Sequence, residues 1–254
     1  MIMMELKILE KSPEAVRFIL SDSDNGMANA IRRTLIGGVP VLSIEEADVE
    51  NNNSGLFDEA LVRRLSLIPL VFDPKMYNLQ SECKCNGEGC SRCQMVLVAE
   101  KEGPCTVKAG DMKSTDPTVK AADPDIPIVE LLEGQKLKFE ATARIGFGRD
   151  KARNQAAIAG YQNIYLVKAE GKAKPCEAHT IEKKGANVKL APMDGCAQCI
   201  KFLEGNEAKH DETSFVFNVE TASGLEVLKI LDMALGRIEQ TAEEFIAEAK
   251  KLIK

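Results

Sequence analysis

The sequence has 254 residues, of which 44% are hydrophobic and 28% are charged, and its formal net charge is −6. This composition is that of a soluble globular protein with two small cores, and its acidic balance disfavours direct DNA contact because it repels phosphates. There is no run of about 20 apolar residues and no signal-peptide core in residues 1–12, so we expect a cytoplasmic protein without membrane contact.

The first segment predicts a β-hairpin followed by a helix. Two short β-like runs, 4–10 and 15–20, flank a turn that contains Pro13. The helix is indicated by N-cap residues at 22–25 and by apolar residues at helical spacing, until Gly37 and the residues after it end the segment. Those apolar residues are Ala28, Ile31 and Leu35.

The middle of the chain predicts mainly strands. Residues 41–50 indicate a strand, and residues 57–68 indicate a second helix. Strict alternation of apolar and polar residues predicts strands over 136–147 and 214–221. Between these two strands, residues 169–210 are rich in lysine, glycine and alanine and contain three cysteines, so we interpret them as a small inserted module.

The last segment, 223–254, predicts one long helix with a narrow apolar seam. Apolar residues recur at alternating steps of three and four, as they do in coiled coils. The seam consists of Leu228, Leu231, Leu235, Ile238, Ala242, Phe245, Ala249 and Leu252. Most amphipathic helices pack on their own domain, but a regular seam about 45 Å long favours a partner helix.

A compact cysteine motif, C-x-C-x4-C-x2-C, lies at 83–93. Its four thiols belong to Cys83, Cys85, Cys90 and Cys93. Gly87 and Gly89 allow the chain to bend between the cysteine pairs. Because four thiolates complete a tetrahedral shell, the motif predicts a structural zinc site without an open position for catalytic water. Disulfides or unliganded thiols are the alternative, which the missing export signal disfavours.

A second, sparser group contains Cys176, Cys196 and Cys199, while Phe202 stands where a ferredoxin-type run would place its next cysteine. We expect a degenerate module with reduced cysteines. The alternative is an iron–sulfur cluster, either with three irons or with four irons and a foreign fourth ligand. Cys105 stands alone and is predicted to be a core or half-buried thiol.

Two blocks of sequence carry a resemblance to a known family. They comprise 25–36 with Val39-Pro40 and Ile44-Glu45, then 51–54 with Asp58-Glu59 and Arg63 to Leu70. The blocks closely resemble the D subunit of archaeal RNA polymerase and are similar to the amino-terminal domain of the bacterial alpha subunit. The third-largest subunit of eukaryotic RNA polymerase II carries a similar zinc loop, which matches the four cysteines at 83–93.

The resemblance implies an α+β fold with a discontinuous dimerisation domain, an inserted β-rich domain and a small ferredoxin-like module. These three parts correspond to 1–46 with 211–254, to 47–168 with the zinc loop, and to 169–210. It also implies a non-catalytic assembly subunit of DNA-directed RNA polymerase, a nucleotidyltransferase that carries out transcription. Phe202 and residues 148–154 depart from the family pattern.

The resemblance further implies a heterodimer with subunit L that nucleates assembly of the large catalytic subunits with small subunits N and P. Arg32 and Arg33 would bind carboxylates of a large subunit, since guanidinium groups form bidentate bonds to them. A solvated charge pair is the alternative. The predicted apolar interface residues are Ala28, Ile31, Leu35, Leu228, Leu231, Leu235, Ile238 and Phe245.

Two other functions compete with the assembly role. An electron-transfer protein would use a cluster on the three later cysteines, and a zinc-binding nucleic-acid adaptor is disfavoured by the acidic balance. The sequence has no G-x-x-x-x-G-K phosphate loop and no cluster of aspartates for paired magnesium ions. We therefore expect no catalytic residues in this chain.

Overall fold

The computed structural model describes residues 4–170, 174–193 and 195–252, which form a mixed arrangement of helices and sheets. The helices are α1 (Asn25–Gly37), α2 (Asp58–Ser66), α3 (Ala197–Glu204) and α4 (Val227–Leu252). The strands are β1 (Glu5–Lys11), β2 (Ala15–Ser21), β3 (Pro40–Asn52), β4 (Leu70–Val71), β5 (Gln94–Glu102), β6 (Cys105–Lys108), β7 (Lys113–Ser114), β8 (Lys120–Ala121), β9 (Pro127–Leu131), β10 (Lys136–Phe147), β11 (Ala157–Lys168), β12 (Thr180–Lys184), β13 (Asn187–Leu190) and β14 (Glu207–Thr221). The mixture of helices and sheets confirms the fold prediction at this coarse level.

The chain divides into two compact units. The first consists of the residues up to Arg33 together with Ala159–Glu220, and the second consists of Thr34–Ile158 together with the residues from Thr221 onward. The predicted domain boundaries follow a different division, which rests on the family resemblance, and they remain a prediction.

The first unit is built on a six-stranded sheet with the strand order β1-β2-β14-β11-β13-β12. The predicted opening hairpin is present, because β1 and β2 pair antiparallel across the Pro13 turn. Phe18 lies opposite Phe217 in the pairing of β2 with β14, and their rings stack with centroids 4.8 Å apart. Aromatic side chains therefore form the centre of this core.

The second unit contains a four-stranded sheet with the order β3-β10-β5-β7. The strand predicted at 136–147 is β10, and its alternation buries Leu137, Phe139, Ala141 and Ala143 on one face. The second predicted helix is α2, which packs with Leu61 and Leu65 buried. Two short pairs, β4 with β8 and β6 with β9, complete the strands of this unit.

Helix α1 begins and ends where the sequence indicated. The Asp24 carboxylate caps it by accepting the N–H of Met27 at 2.8 Å, and the helix ends at Gly37. Its apolar residues Ala28, Ile31 and Leu35 are at most 5% exposed. The chain itself covers these three side chains, and their predicted role in partner binding stays a prediction.

Candidate metal centres and partner surfaces

The loop at 83–93 folds back on itself so that its cysteine pairs face each other. The backbone turns sharply at three closely spaced residues with positive φ, which are Asn86 (52°), Gly87 (86°) and Gly89 (90°). The Gln80 side chain braces the turn by donating to the Gly87 carbonyl at 2.8 Å. Glycine adopts positive φ without steric cost, so Gly87 and Gly89 allow the loop to fold back and bring its cysteine pairs together.

The four thiols of the loop converge on one point. The Sγ atoms of Cys83 and Cys90 lie 3.5 Å apart, those of Cys85 and Cys93 3.6 Å, and those of Cys90 and Cys93 3.9 Å. All four sulfurs lie within 4.8 Å of one another. A zinc tetrahedron with Zn–S bonds of about 2.3 Å has edges of about 3.8 Å, so the arrangement fits one zinc ion.

The environment of this loop lowers the pKa of one thiol and raises the pKa of another. Backbone hydrogen bonding from Gly89 lowers the pKa of Cys85 to about 6, whereas burial raises the pKa of Cys93 to about 12. The thiolate is the form that binds a metal ion. Metal binding therefore has to release protons from the thiols whose pKa is raised, which makes metal affinity depend on pH.

The second cysteine group contains a ligand that the sequence analysis missed. Cys176, Cys196 and Cys199 come together, and His179 joins them, with all four ligand atoms within 4.8 Å of one another. The signal was present in the sequence as a Cys176-x2-His179 pair, which has the same spacing as Cys196-x2-Cys199. A search for a fourth cysteine alone could not find it.

Helix α4 carries two apolar stripes. The inner stripe packs on the chain and consists of Val227, Ile230, Leu231 and Ala234. The predicted seam is mostly solvent-facing: Leu228 is 39% exposed, Leu235 is 41% exposed and Phe245 is 74% exposed, while Ile238 is half-buried. Leu231 belongs to both stripes and is buried in the chain, and its predicted place in a partner surface stays a prediction.

The two adjacent arginines of α1 are accessible. Arg33 is exposed, and Arg32 is half-buried with its Nε and Nη2 donating to the Asn29 side-chain oxygen at 3.2 and 3.0 Å. Neither arginine forms an ion pair with a carboxylate in the part of the chain that the structure describes. Both guanidinium groups therefore retain donors for another molecule.

Comparison with known proteins places the chain in a family. A family model described as "RNA polymerase Rpb3/RpoA insert domain" matches residues 47–167. The chain is 40% identical to DNA-directed RNA polymerase subunit Rpo3 of Methanosarcina acetivorans, over 96% of this chain and 97% of the relative. The chain belongs to the Rpo3 family of DNA-directed RNA polymerase subunits.

Two further members of the Rpo3 family match over similar lengths. The Thermococcus kodakarensis protein is 35% identical over 98% of this chain and 99% of its own, and the Archaeoglobus fulgidus protein is 34% identical over 95% and 96%. The predicted function, an archaeal RNA polymerase subunit that supports assembly rather than catalysis, is confirmed at the level of the Rpo3 family. Among the described helices, none is long and apolar enough to cross a bilayer.

Proposed function

We propose that this chain is the platform on which a DNA-directed RNA polymerase assembles. In this proposal it forms a heterodimer with the small subunit L, and the pair docks the large catalytic subunits together with the small subunits N and P. The observation that carries the proposal is the exposed seam of α4. Coiled-coil spacing on a solvent-facing helix favours an apolar partner, because pairing removes the exposed side chains from water.

The length of α4 supports a partner of helical or sheet-like shape. The helix continues for 18 residues beyond Ala234, the last residue of its inner stripe. At about 1.5 Å per residue this extension measures about 27 Å, and its apolar side chains Phe245, Ile246 and Leu252 are exposed. We assign this surface to the contact with subunit L.

The proposed contact with a large subunit rests on the charged side chains of Arg32 and Arg33. Their guanidinium groups have no carboxylate partner among the described residues and can bind acidic side chains of a large subunit in a bidentate manner. Desolvation at an interface strengthens such bonds relative to water. We therefore assign the exposed side of α1 to a large-subunit contact.

The loop of Cys83, Cys85, Cys90 and Cys93 holds a structural zinc ion in this proposal. The four sulfurs fit a closed tetrahedral shell, and a closed shell has no position for a reacting water. The metal would fix a loop that lies between the short turn at Gln80–Glu82 and strand β5. Because metal-binding energy at such a site becomes folding energy, the ion would keep the loop folded. In this proposal the folded loop is part of a docking surface.

The test is a purification of the full chain with an affinity tag from the cells that produce it. The proposal predicts that both large subunits and subunits L, N and P elute with the tagged chain in fixed ratios at moderate salt. A matched chain with Leu235→Asp and Phe245→Asp should elute without subunit L. Elution of the wild-type chain alone, or with redox enzymes, would overturn the platform role.

A further inference from the structure

The second ligand cluster is complete without the cysteine that the sequence analysis found missing. His179 Nδ1 lies 3.1 Å from Cys199 Sγ and 3.5 Å from Cys176 Sγ, and the Sγ atoms of Cys196 and Cys176 are 4.0 Å apart. Three sulfurs and one imidazole nitrogen therefore surround a single point. Cys176 and Cys199 are buried, whereas Cys196 and His179 are half-buried.

Two short helical turns present these ligands in pairs. Cys176 and His179 bracket a 3-10 turn in which the His179 N–H donates to the Cys176 carbonyl at 3.2 Å. Cys196 directly precedes α3, and Cys199 lies in the first turn of this helix. The Gln198 amide bridges the two arms by donating to the Pro175 carbonyl at 3.2 Å. The arms are thus held together by protein contacts that do not involve the ligand atoms.

Phe202 belongs to the small core beside the ligand cluster and is not one of the ligands. Its side chain is fully buried in a small core with Val167, Val188 and Leu190. Cys176 and Cys199 belong to the same core, so their sulfurs sit where this core meets the half-buried His179 and Cys196. A cysteine at position 202 would point into this core, while His179 supplies the fourth ligand from the opposite arm.

We propose that Cys176, His179, Cys196 and Cys199 bind a second structural zinc ion, a site that goes beyond the platform role. Zinc accepts three thiolates and one imidazole nitrogen together in a closed tetrahedral shell. A three- or four-iron cluster places several irons and sulfides between its ligands, and each of its cysteines binds a different iron. Ligand atoms within 4.8 Å of one another leave room for one ion and not for a cluster.

The positions of the four ligands show which elements an ion would join. The first arm leads directly into β12, and the Ala191 N–H after β13 donates to the His179 carbonyl at 2.9 Å. The second arm begins α3, which carries Phe202 into the core. One ion would therefore join α3 to the β12–β13 pair, and its binding energy would become folding energy for this segment.

The test measures metal content in full-length protein. Cells are grown with iron, sulfide and zinc all supplied, and the chain is purified without oxygen, so that either cofactor can enter. The proposal predicts two zinc ions per chain, no acid-labile sulfide and no visible absorption. Cys196→Ser should lose one zinc ion, and Cys105→Ser should keep both. The zinc ion of the 83–93 loop, retained in Cys196→Ser, reports that the second unit of this variant is folded.

Histidine is tested separately with cobalt as a spectroscopic probe. Cobalt bound to the wild-type chain should show d–d bands of one site with four thiolates and one site with three thiolates and an imidazole, and His179→Cys should move the second set towards the first. His179→Ala should release its second zinc ion to a chelator faster than wild type. One zinc ion in the wild-type chain, iron with sulfide at the second site, or cobalt spectra unchanged by His179→Cys would each overturn the proposal.

Discussion

At the scale of single residues, Gly89 is where one added methyl group should disturb the first metal loop most. It has a φ of +90°, and a Cβ there would lie 2.7 Å from Cδ of Gln94. Gly89→Ala should cost about 1–2 kcal/mol in backbone strain and also displace Gln94. Thermal unfolding and zinc affinity check this, with Gly55→Ala as the control because nothing lies near its Cβ.

Cys90 contacts two of the other three sulfurs of its loop, at 3.5 and 3.9 Å. Cys90→Ser should therefore remove the proposed zinc ion of this loop and lower the melting temperature, since an incomplete thiolate shell loses metal-binding energy. Elemental analysis beside wild type checks the prediction. The assignment of these ligands fails if both proteins contain equal zinc, or if iron occupies the loop.

Tyr77 and Asp116 give the second unit an acid-sensitive contact. The Tyr77 hydroxyl donates to Asp116 Oδ2 at 2.6 Å, and this hydrogen bond lowers the pKa of Asp116. A lowered carboxylate pKa stabilises the fold above the unfolded value of about 3.9, and this contribution disappears as pH falls through the folded pKa. Tyr77→Phe should lower the melting temperature at pH 7, and the difference from wild type should shrink below about pH 4. A difference that is constant with pH would contradict this.

Residue types alone predicted the first metal loop and only part of the second. The four cysteines at 83–93 are close in sequence and separated by glycines, so their convergence follows from local geometry. The second cluster joins residues 20 positions apart, Cys176 with Cys196 and His179 with Cys199. Which arm supplies the fourth ligand depends on how α3 packs against the β12–β13 pair, and this packing is a tertiary property.

At the scale of elements, α4 shows why periodicity identified one stripe and missed another. The heptad pattern predicted the long outer seam, but Val227, Ile230 and Ala234 form a shorter inner stripe over the first turns of the helix. Both stripes are apolar, and a single sequence does not state which one its own domain covers. The same ambiguity applies to Ala28, Ile31 and Leu35, whose periodicity predicted a partner face and whose side chains are buried within the chain.

The two stripes of α4 should respond differently to truncation. Ile230 is fully buried, so Ile230→Ala should destabilise the chain by about 2–5 kcal/mol through a cavity. Leu235 is 41% exposed, so Leu235→Ala should change the stability of the isolated chain little and weaken binding of subunit L. Denaturant unfolding and a binding titration separate the two effects. Equal destabilisation by both variants would contradict the assignment of the stripes.

At the scale of the whole molecule, the net charge is −6, whereas Arg32 and Arg33 place two adjacent positive charges on α1. Reversing both charges with Arg32→Glu and Arg33→Glu should leave the proposed zinc sites and the proposed heterodimer with L intact while weakening recruitment of the large subunits. Reconstitution from purified subunits measures this effect. Undiminished recruitment would assign these arginines to the solvated surface instead.

The central claim is that this chain contributes a docking surface, not chemistry, to the polymerase. The most direct measurement is incorporation of a folded, zinc-loaded Leu235→Asp, Phe245→Asp chain into polymerase reconstituted from purified subunits, followed by transcription from the isolated complex. We predict that the variant stays outside the complex and that transcription falls with its absence. Stoichiometric incorporation of the variant, with transcription equal to wild type, would contradict the account.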